Sequence, residues 1–292
     1  MNQPPPWTPP ALPPAAHPSV LLKALESRAR KRFGQHFLAS PAAVERIVSL
    51  AGIQPGEPVL EIGPGLGVLT EALLAAGARV TAVELDRDLA AALRERLQGA
   101  IECGALRIVE GDAVDLDLVA LMPRGAKVVA NLPYNVGTRI LVQLLEQAGH
   151  FTRLVLMFQR EVALRLLAMP GDRERGSLSV FAQSRAAVRI GFRLQGGAFH
   201  PPPKVESAVV VFEPLDAPNL GGVEPARFDA AARLLFRSPR KTLRRVIADA
   251  AGVEVAEAAL AEAGVDGGLR PALLDLGAVQ RLAAALPEGP WR

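Results

Sequence analysis

Between residues 41 and 214 the apolar positions switch repeatedly between two periods. PAAVERIVSLA (41–51), VLTEALLAAG (68–77), DLAAALRERL (88–97), TRILVQLLEQAG (138–149) and EVALRLLAM (161–169) repeat every three to four residues, the spacing of one helix face. Ser40 and Pro41 suit an N-cap and a first helical position, and Gly77 a helix end. Between these stretches run short apolar segments that read as buried strands: PVLEIG, RVTAVELD, LRIVEGDA, KVVANLPY and RLVLMFQ. LSVFAQSRAAVRIGFRL (178–194) reads as extended and in part antiparallel, and ESAVVVFEP (206–214) as a last alternating strand. Strands alternating with helices of this length predict an α/β fold, a mainly parallel sheet with helices on both faces.

The pattern then changes. PLDAPNLGGVEP (214–225) collects Pro, Gly and Asn and reads as a linker. Beyond it the period is helical throughout. ARFDAAARLLFR is followed by Ser238-Pro239, which is expected to cap and open the next helix, RKTLRRVIADAAG. The division expected is a proline-rich tail and lead over 1–27, a main domain over 28–215 and a small helical domain over 226–292.

Composition narrows the class. Of the 292 residues, 50% are hydrophobic and 22% charged, as in a globular protein. No stretch reaches the ~20 apolar residues of a membrane span, and MNQPPPWTPPALPPAAHP has no signal core, so a cytoplasmic protein without a membrane partner is expected. Cys103 alone excludes an internal disulfide or a cysteine-built metal site, and four scattered His residues suggest no metal. The net charge is only +3, but RARKR (28–32) and RSPRKTLRR (237–245) concentrate basic residues, which points to a nucleic-acid partner.

Candidate chemistry sits where strands end. EIGPGLG carries Glu61, Gly63, Gly65 and Gly67 from a strand into a helix, a turn through which backbone approaches a ligand. Glu84, 21 residues after Gly63, ends the second strand, where a carboxylate can accept both hydroxyls of a ribose. Asp112 follows the third strand, placed to accept from an adenine amino group. Leu85 and Ala113 adjoin these acids and are taken into the same site. The third glycine falls one residue too early for the dinucleotide pattern GxGxxG. S-adenosylmethionine, which has an adenine and a ribose but no phosphate, suits these residues better than NAD.

NLPY follows the fourth strand. The Asn131 side-chain oxygen and the Leu132 carbonyl can accept the two N–H groups of an exocyclic amine, making it more nucleophilic. Pro133 stiffens the turn and Tyr134 offers a stacking face.

In the order GQHFL, EIGPGLGVLT, ELDRDLAAAL, GDA, NLPYNV, FQREVALRL, LSVFAQ, FHPPPKVESAVV and RKTLRR, the chain resembles the ribosomal RNA adenine N6,N6-dimethyltransferases, and more narrowly their bacterial small-subunit branch. The resemblance runs from about Arg32 to Leu286. It implies a Rossmann-like class I methyltransferase sheet and dimethylation of two adjacent adenosines in a hairpin loop near the 3′ end of small-subunit rRNA. The partner implied is that rRNA or an immature small ribosomal subunit, met by a monomer. It also implies a lid in which Gln35, His36 and Leu38 reach the cofactor, and a flipped adenine held between Tyr134 and Phe199. Lys204, Arg240, Lys241, Arg244 and Arg245 would contact RNA phosphate. Three departures stand out: His36 where Asn is usual, Arg175 in RGSLS where Tyr is usual, and RPALLDL for an Arg-Ala-Glu pattern. Rival readings are the large-subunit, antibiotic-resistance branch, against which Leu66 and Leu132 argue, an NAD-dependent dehydrogenase, and a non-enzymatic role in ribosome assembly.

Overall fold

The computed structural model describes Leu12, residues 19–21, 36–147 and 149–288. Gln35 and the RARKR cluster lie outside the described residues. In chain order the elements are β1 (Phe37–Leu38), α1 (Pro41–Ala51), β2 (Pro58–Ile62), α2 (Val68–Ala75), β3 (Arg79–Glu84), α3 (Arg87–Arg96), α4 (Gln98–Glu102), β4 (Leu106–Glu110) and β5 (Ala126–Asn131). They continue with α5 (Gly137–Glu146), β6 (Phe151–Gln159), α6 (Arg160–Leu167), α7 (Ser177–Gln183), β7 (Ala186–Leu194), β8 (Phe199–His200) and β9 (Ser207–Pro214). Four helices close the chain: α8 (Pro225–Phe236), α9 (Leu243–Ala251), α10 (Val253–Ala263) and α11 (Leu276–Ala285).

Seven strands form one sheet in the order β4-β3-β2-β5-β6-β9-β7. The pairs from β4 through β6 are parallel and β6 pairs with β9 antiparallel. Strands β2 and β5 are buried along almost their whole length, because helices cover both faces. On one face Val44 and Ile47 of α1, Leu69 and Leu73 of α2 and Leu93 of α3 pack with Val59, Val80 and Val129. Side chains alternate along a strand, so Leu60, Ile62, Val128 and Leu154 point to the opposite face, and they are buried too.

The described chain separates into two compact units. One holds the residues up to Ala163 with Arg189–Pro214, the other Leu164–Val188 with everything from Leu215 onward. The chain crosses between them inside α6, again inside β7, and a third time after Pro214. Leu164–Val188 therefore clusters with the C-terminal helices, although the sequence reading assigns it to the main domain. In this helical unit Val180 packs with Phe228, Leu235, Leu243 and Leu282.

Two local expectations are corrected. LSVFAQ is not extended but is α7, begun by the Ser179 hydroxyl, which accepts from the Gly176 N–H at 3.1 Å. Ser238-Pro239 does not open a helix. The Lys241 N–H bonds the Ser238 carbonyl at 3.0 Å, closing a turn, and α9 begins only at Leu243. Arg240 and Lys241 thus precede the helix that carries Arg244 and Arg245.

Candidate active site

Parallel register brings the predicted residues into one row. Glu61 of β2 lies opposite Ala82 of β3 and Val129 of β5, so Glu84 and Asn131, two residues farther on, project on the same face. Glu110 pairs with Glu84, and Asp112 follows two residues later. At these carboxyl ends lies a cleft of about 260 Å³, lined by Glu61, Gly63, Gly65, Glu84, Asp112 and Asn131 among others. His36, Leu38, Leu85, Ala113, Leu132, Pro133 and Tyr134 line it as well.

The turn GPGLG is shaped by two demands. Gly65 has φ +56, and a Cβ there would meet the Phe37 ring at 3.0 Å. Phe37 lines the cleft and is not singled out by the sequence, where nothing separates it from a core aromatic. Gly67 (φ +76) has another task. A Cβ there would stand 2.3 Å from Leu93 Cδ1, so this glycine lets α2 start against α3. Gly67 is not among the residues lining the cleft.

Three carboxylates converge on the cleft, and among the described residues no Lys or Arg lines it. Glu84 accepts from the Gly65 N–H at Oε2 and from the Asp86 N–H at Oε1, each at 2.9 Å. Burial raises the Glu84 pKa, against the pull of those N–H groups. Asp112 Oδ1 accepts from the Val114 N–H at 2.9 Å. Glu61 is the most enclosed, at 1% exposure, and its Oε2 has no hydrogen-bond partner among the described residues. Burial pushes its pKa up to about 8, opposed by the Thr70 hydroxyl and reinforced by the Glu84 carboxylate.

An orphaned acid oxygen among three carboxyls, with no cation beside it, tests the cofactor. A pyrophosphate would be repelled. S-adenosylmethionine carries positive charge and hydrogen-bond donors, and these residues fit it. Among the described residues no group of His, Cys, Asp and Glu is arranged to hold a metal ion.

The NLPY turn is tied to the strap formed by residues 36–38. Asn131 Nδ2 donates to the His36 carbonyl at 3.1 Å, which leaves Oδ1 as the open acceptor. The His36 ring bonds the Pro201 carbonyl at 2.8 Å through Nδ1, which must carry the proton because a carbonyl can only accept. The Tyr134 hydroxyl bonds Ser207 Oγ at 2.7 Å, and its ring centroid lies 5.9 Å from that of His36. Burial raises the Tyr134 pKa, so the ring stays a neutral phenol.

Phe199 does not face Tyr134. Strands β1 and β8 pair Phe37 with His200 and Leu38 with Phe199, and Leu38 and Phe199 both turn into the apolar core. The ring is 4% exposed and does not line the cleft, so the expected sandwich is not in place. Lys204, Arg240, Lys241, Arg244 and Arg245 are all exposed. Lys241 and Arg245 share Asp249 at 2.8 Å each, and Arg244 pairs with Glu257 at 3.0 Å.

Comparison with known proteins bears on this arrangement. Residues 26–282 match the family model described as ribosomal RNA adenine dimethylase. The chain is 45% identical over 284 residues to the ribosomal RNA small subunit methyltransferase A of Anaeromyxobacter dehalogenans, covering 92% of this chain and 97% of that one. With the protein of the same name from Syntrophotalea carbinolica it shares 42% identity over 261 residues, 89% and 97% of the two chains. Among solved structures, a dimethyladenosine transferase from Plasmodium falciparum superposes with a TM-score of 0.70 at 25% identity, over 85% of this chain and 96% of that one. The 23S rRNA methyltransferase ErmE gives 0.64 at 29% identity, over 86% and 99%. The chain belongs to the ribosomal RNA adenine dimethylase family, a family of S-adenosylmethionine-dependent methyltransferases.

Proposed function

We propose that this enzyme dimethylates the N6 amines of two adjacent adenosines in a hairpin loop near the 3′ end of small-subunit rRNA. The observation that carries the reading is the fixed amide of Asn131. Its nitrogen is committed to the His36 carbonyl, so the one orientation left presents Oδ1 as an acceptor. With the Leu132 carbonyl, Oδ1 holds the two N–H groups of an adenine amine and directs its lone pair forward.

The cofactor supplies an electrophilic methyl group on a sulfonium. When the cofactor is bound, Glu84 would accept from its ribose hydroxyls, Asp112 and Ala113 would hold its adenine, and Glu61 would balance its positive charge. His36, Leu38, Gly63, Gly65 and Leu85 wall the pocket. Tyr134 gives the target base a stacking face, with the His36 ring as its neighbour. Phe199 can join only by leaving the core. No general base is needed, since the methylated amine loses its proton to water.

The relatives named for the small subunit support that substrate over 23S rRNA. The substrate is the rRNA of an immature small ribosomal particle, met in the cytoplasm by a monomer. Exposed Lys204, Arg240, Lys241, Arg244 and Arg245 supply phosphate contacts, and residues 226–292 serve as the RNA-contacting domain.

Labelled methyl transfer to small-subunit particles, followed by mass spectrometry of the rRNA, tests the reading. Dimethyladenosine at adjacent positions is expected, together with saturable S-adenosylmethionine binding and none of NAD. Saturable NAD binding without response to the methyl donor would end it.

A further inference from the structure

Behind the glycine turn, away from the acids, α3 sends one cation toward the cleft wall. Arg96 Nη2 donates to the Leu66 carbonyl and lies 3.0 Å from Glu71 Oε1 on α2. The two side chains are only 20% and 13% exposed. Burial raises the Glu71 pKa and lowers that of Arg96, and in each case the partner's charge opposes the change. The space for this guanidinium exists because residue 67 has no side chain: a Cβ there would be 2.6 Å from Arg96 Nη2.

The turn is therefore gripped from two sides. The Gly65 N–H is held by the Glu84 carboxylate, and one residue later the Leu66 carbonyl is held by Arg96. Gly65 and Leu66 both line the cleft, and Gly65, having no side chain, offers it backbone whose position is set by what holds it. The Arg96 bond fixes the Leu66–Gly67 peptide plane. Glu71, one turn into α2, holds the guanidinium that makes it.

We propose that Arg96, seated by Glu71, is a positioning residue for the cofactor: it sets the height of the Gly65-Leu66 wall against which S-adenosylmethionine packs. The inference rests on the cofactor reading above. A catalytic site requires its supporting groups to be placed to about 0.5 Å, and a lost strut shows first as lost binding. Arg96 touches neither Asn131 nor Tyr134, so chemistry at saturating cofactor is left intact.

The test measures S-adenosylmethionine affinity by calorimetry on the full chain, together with kcat and both KM values. Wild type must bind the cofactor; if it does not, the cofactor reading fails and not merely this inference. Arg96→Met is expected to raise the cofactor Kd and KM at least tenfold, with kcat and the RNA KM within about twofold. Arg96→Lys keeps a charge for Glu71 but not the forked reach to Leu66, and is expected to lose at least threefold in affinity. Should Arg96→Met not fold, Arg96→Lys decides alone. A folded variant with lower thermal stability but cofactor affinity within twofold of wild type, or one losing kcat and affinity together, overturns the proposal.

Discussion

Asn131 meets two demands with one amide, donating to the His36 carbonyl and keeping Oδ1 open. In Asn131→Ala both are lost. By analogy with removing one oxyanion-hole donor, kcat on rRNA should fall on the order of a hundredfold or more. Cofactor affinity should stay within about tenfold, about 1.4 kcal/mol, because the glycine turn and the acids are untouched. Single-turnover methyl transfer with calorimetry separates the two, and near-normal rates would remove Asn131 from the chemistry. Glu61 makes the second residue-scale prediction. Its folded pKa, about 8, lies above the ordinary value of 4.5, so the ligand-free fold binds a proton that the unfolded chain releases as pH rises between those values. The stability contributed by that protonation is complete below pH 4.5 and is lost as pH climbs through 8. Glu61→Gln, neutral at every pH, should therefore gain on wild type by on the order of a few kcal/mol between pH 5 and pH 8. Urea denaturation across that range measures it. Parallel pH profiles for the two proteins would contradict the buried, unpaired acid.

At the scale of elements, legibility follows periodicity. Apart from the short α4, which the apolar pattern does not mark, the βα units from β2 to β6 are readable because each strand is a short apolar run and each longer helix a clear stripe, and the candidate acids fall at strand ends. Helix α7 is not readable, since Leu178, Ser179, Val180, Phe181 and Ala182 are all buried and leave no polar face to set a period. The turn at Ser238 misleads because Ser-Pro suits both a helix start and a tight turn, and only the Lys241-to-Ser238 bond decides between them. Phe199 misses its expected place, and Phe37 reaches the cleft unforeseen, because strand pairing, which local sequence does not encode, chooses which ring turns inward. Arg175 becomes intelligible only in three dimensions. Buried in the helical unit, it donates to the Leu274 carbonyl at 2.9 Å, the Ala168 carbonyl at 2.8 Å and Gln183 Oε1 at 3.0 Å. One guanidinium thus joins the end of α6, the end of α7 and the RPALLDL segment. Arg175→Met would leave the Leu274 carbonyl and Gln183 Oε1 without this donor, while the Ala168 carbonyl keeps its bond from Gln183 Nε2, and should cost about 2–4 kcal/mol in chemical denaturation, with cofactor affinity unchanged. A loss below about 0.5 kcal/mol would show that water takes over its bonds.

Across the whole molecule, in the proposed reading, charge divides the work between chemistry and RNA capture. The described lining of the cofactor cleft has acids without a Lys or Arg, so phosphate contacts have to come from elsewhere on the surface. The cluster at 240–245 is exposed but not idle: Lys241 and Arg245 meet Asp249, and Arg244 meets Glu257. Exposed pairs of this kind are worth about 0–1 kcal/mol each, so a phosphate can displace the carboxylates at small cost. Arg244 and Arg245, at 59% and 70% side-chain exposure, are the pair to reverse. If both contact the RNA backbone, Arg244→Glu with Arg245→Glu should weaken rRNA binding and flatten the slope of log affinity against log salt by about one unit per lost contact. Methylation at saturating RNA should persist, because these residues supply positioning and the NLPY turn supplies the chemistry. Stability should change little, since each reversal breaks only a surface pair. Filter binding across a range of salt concentrations provides the readout, with far-ultraviolet circular dichroism confirming the fold. If the cluster is only a solvated face whose cations serve Asp249 and Glu257, the double variant binds rRNA with the wild-type affinity and the wild-type slope, and the phosphate contacts must then be sought at Lys204 and Arg240.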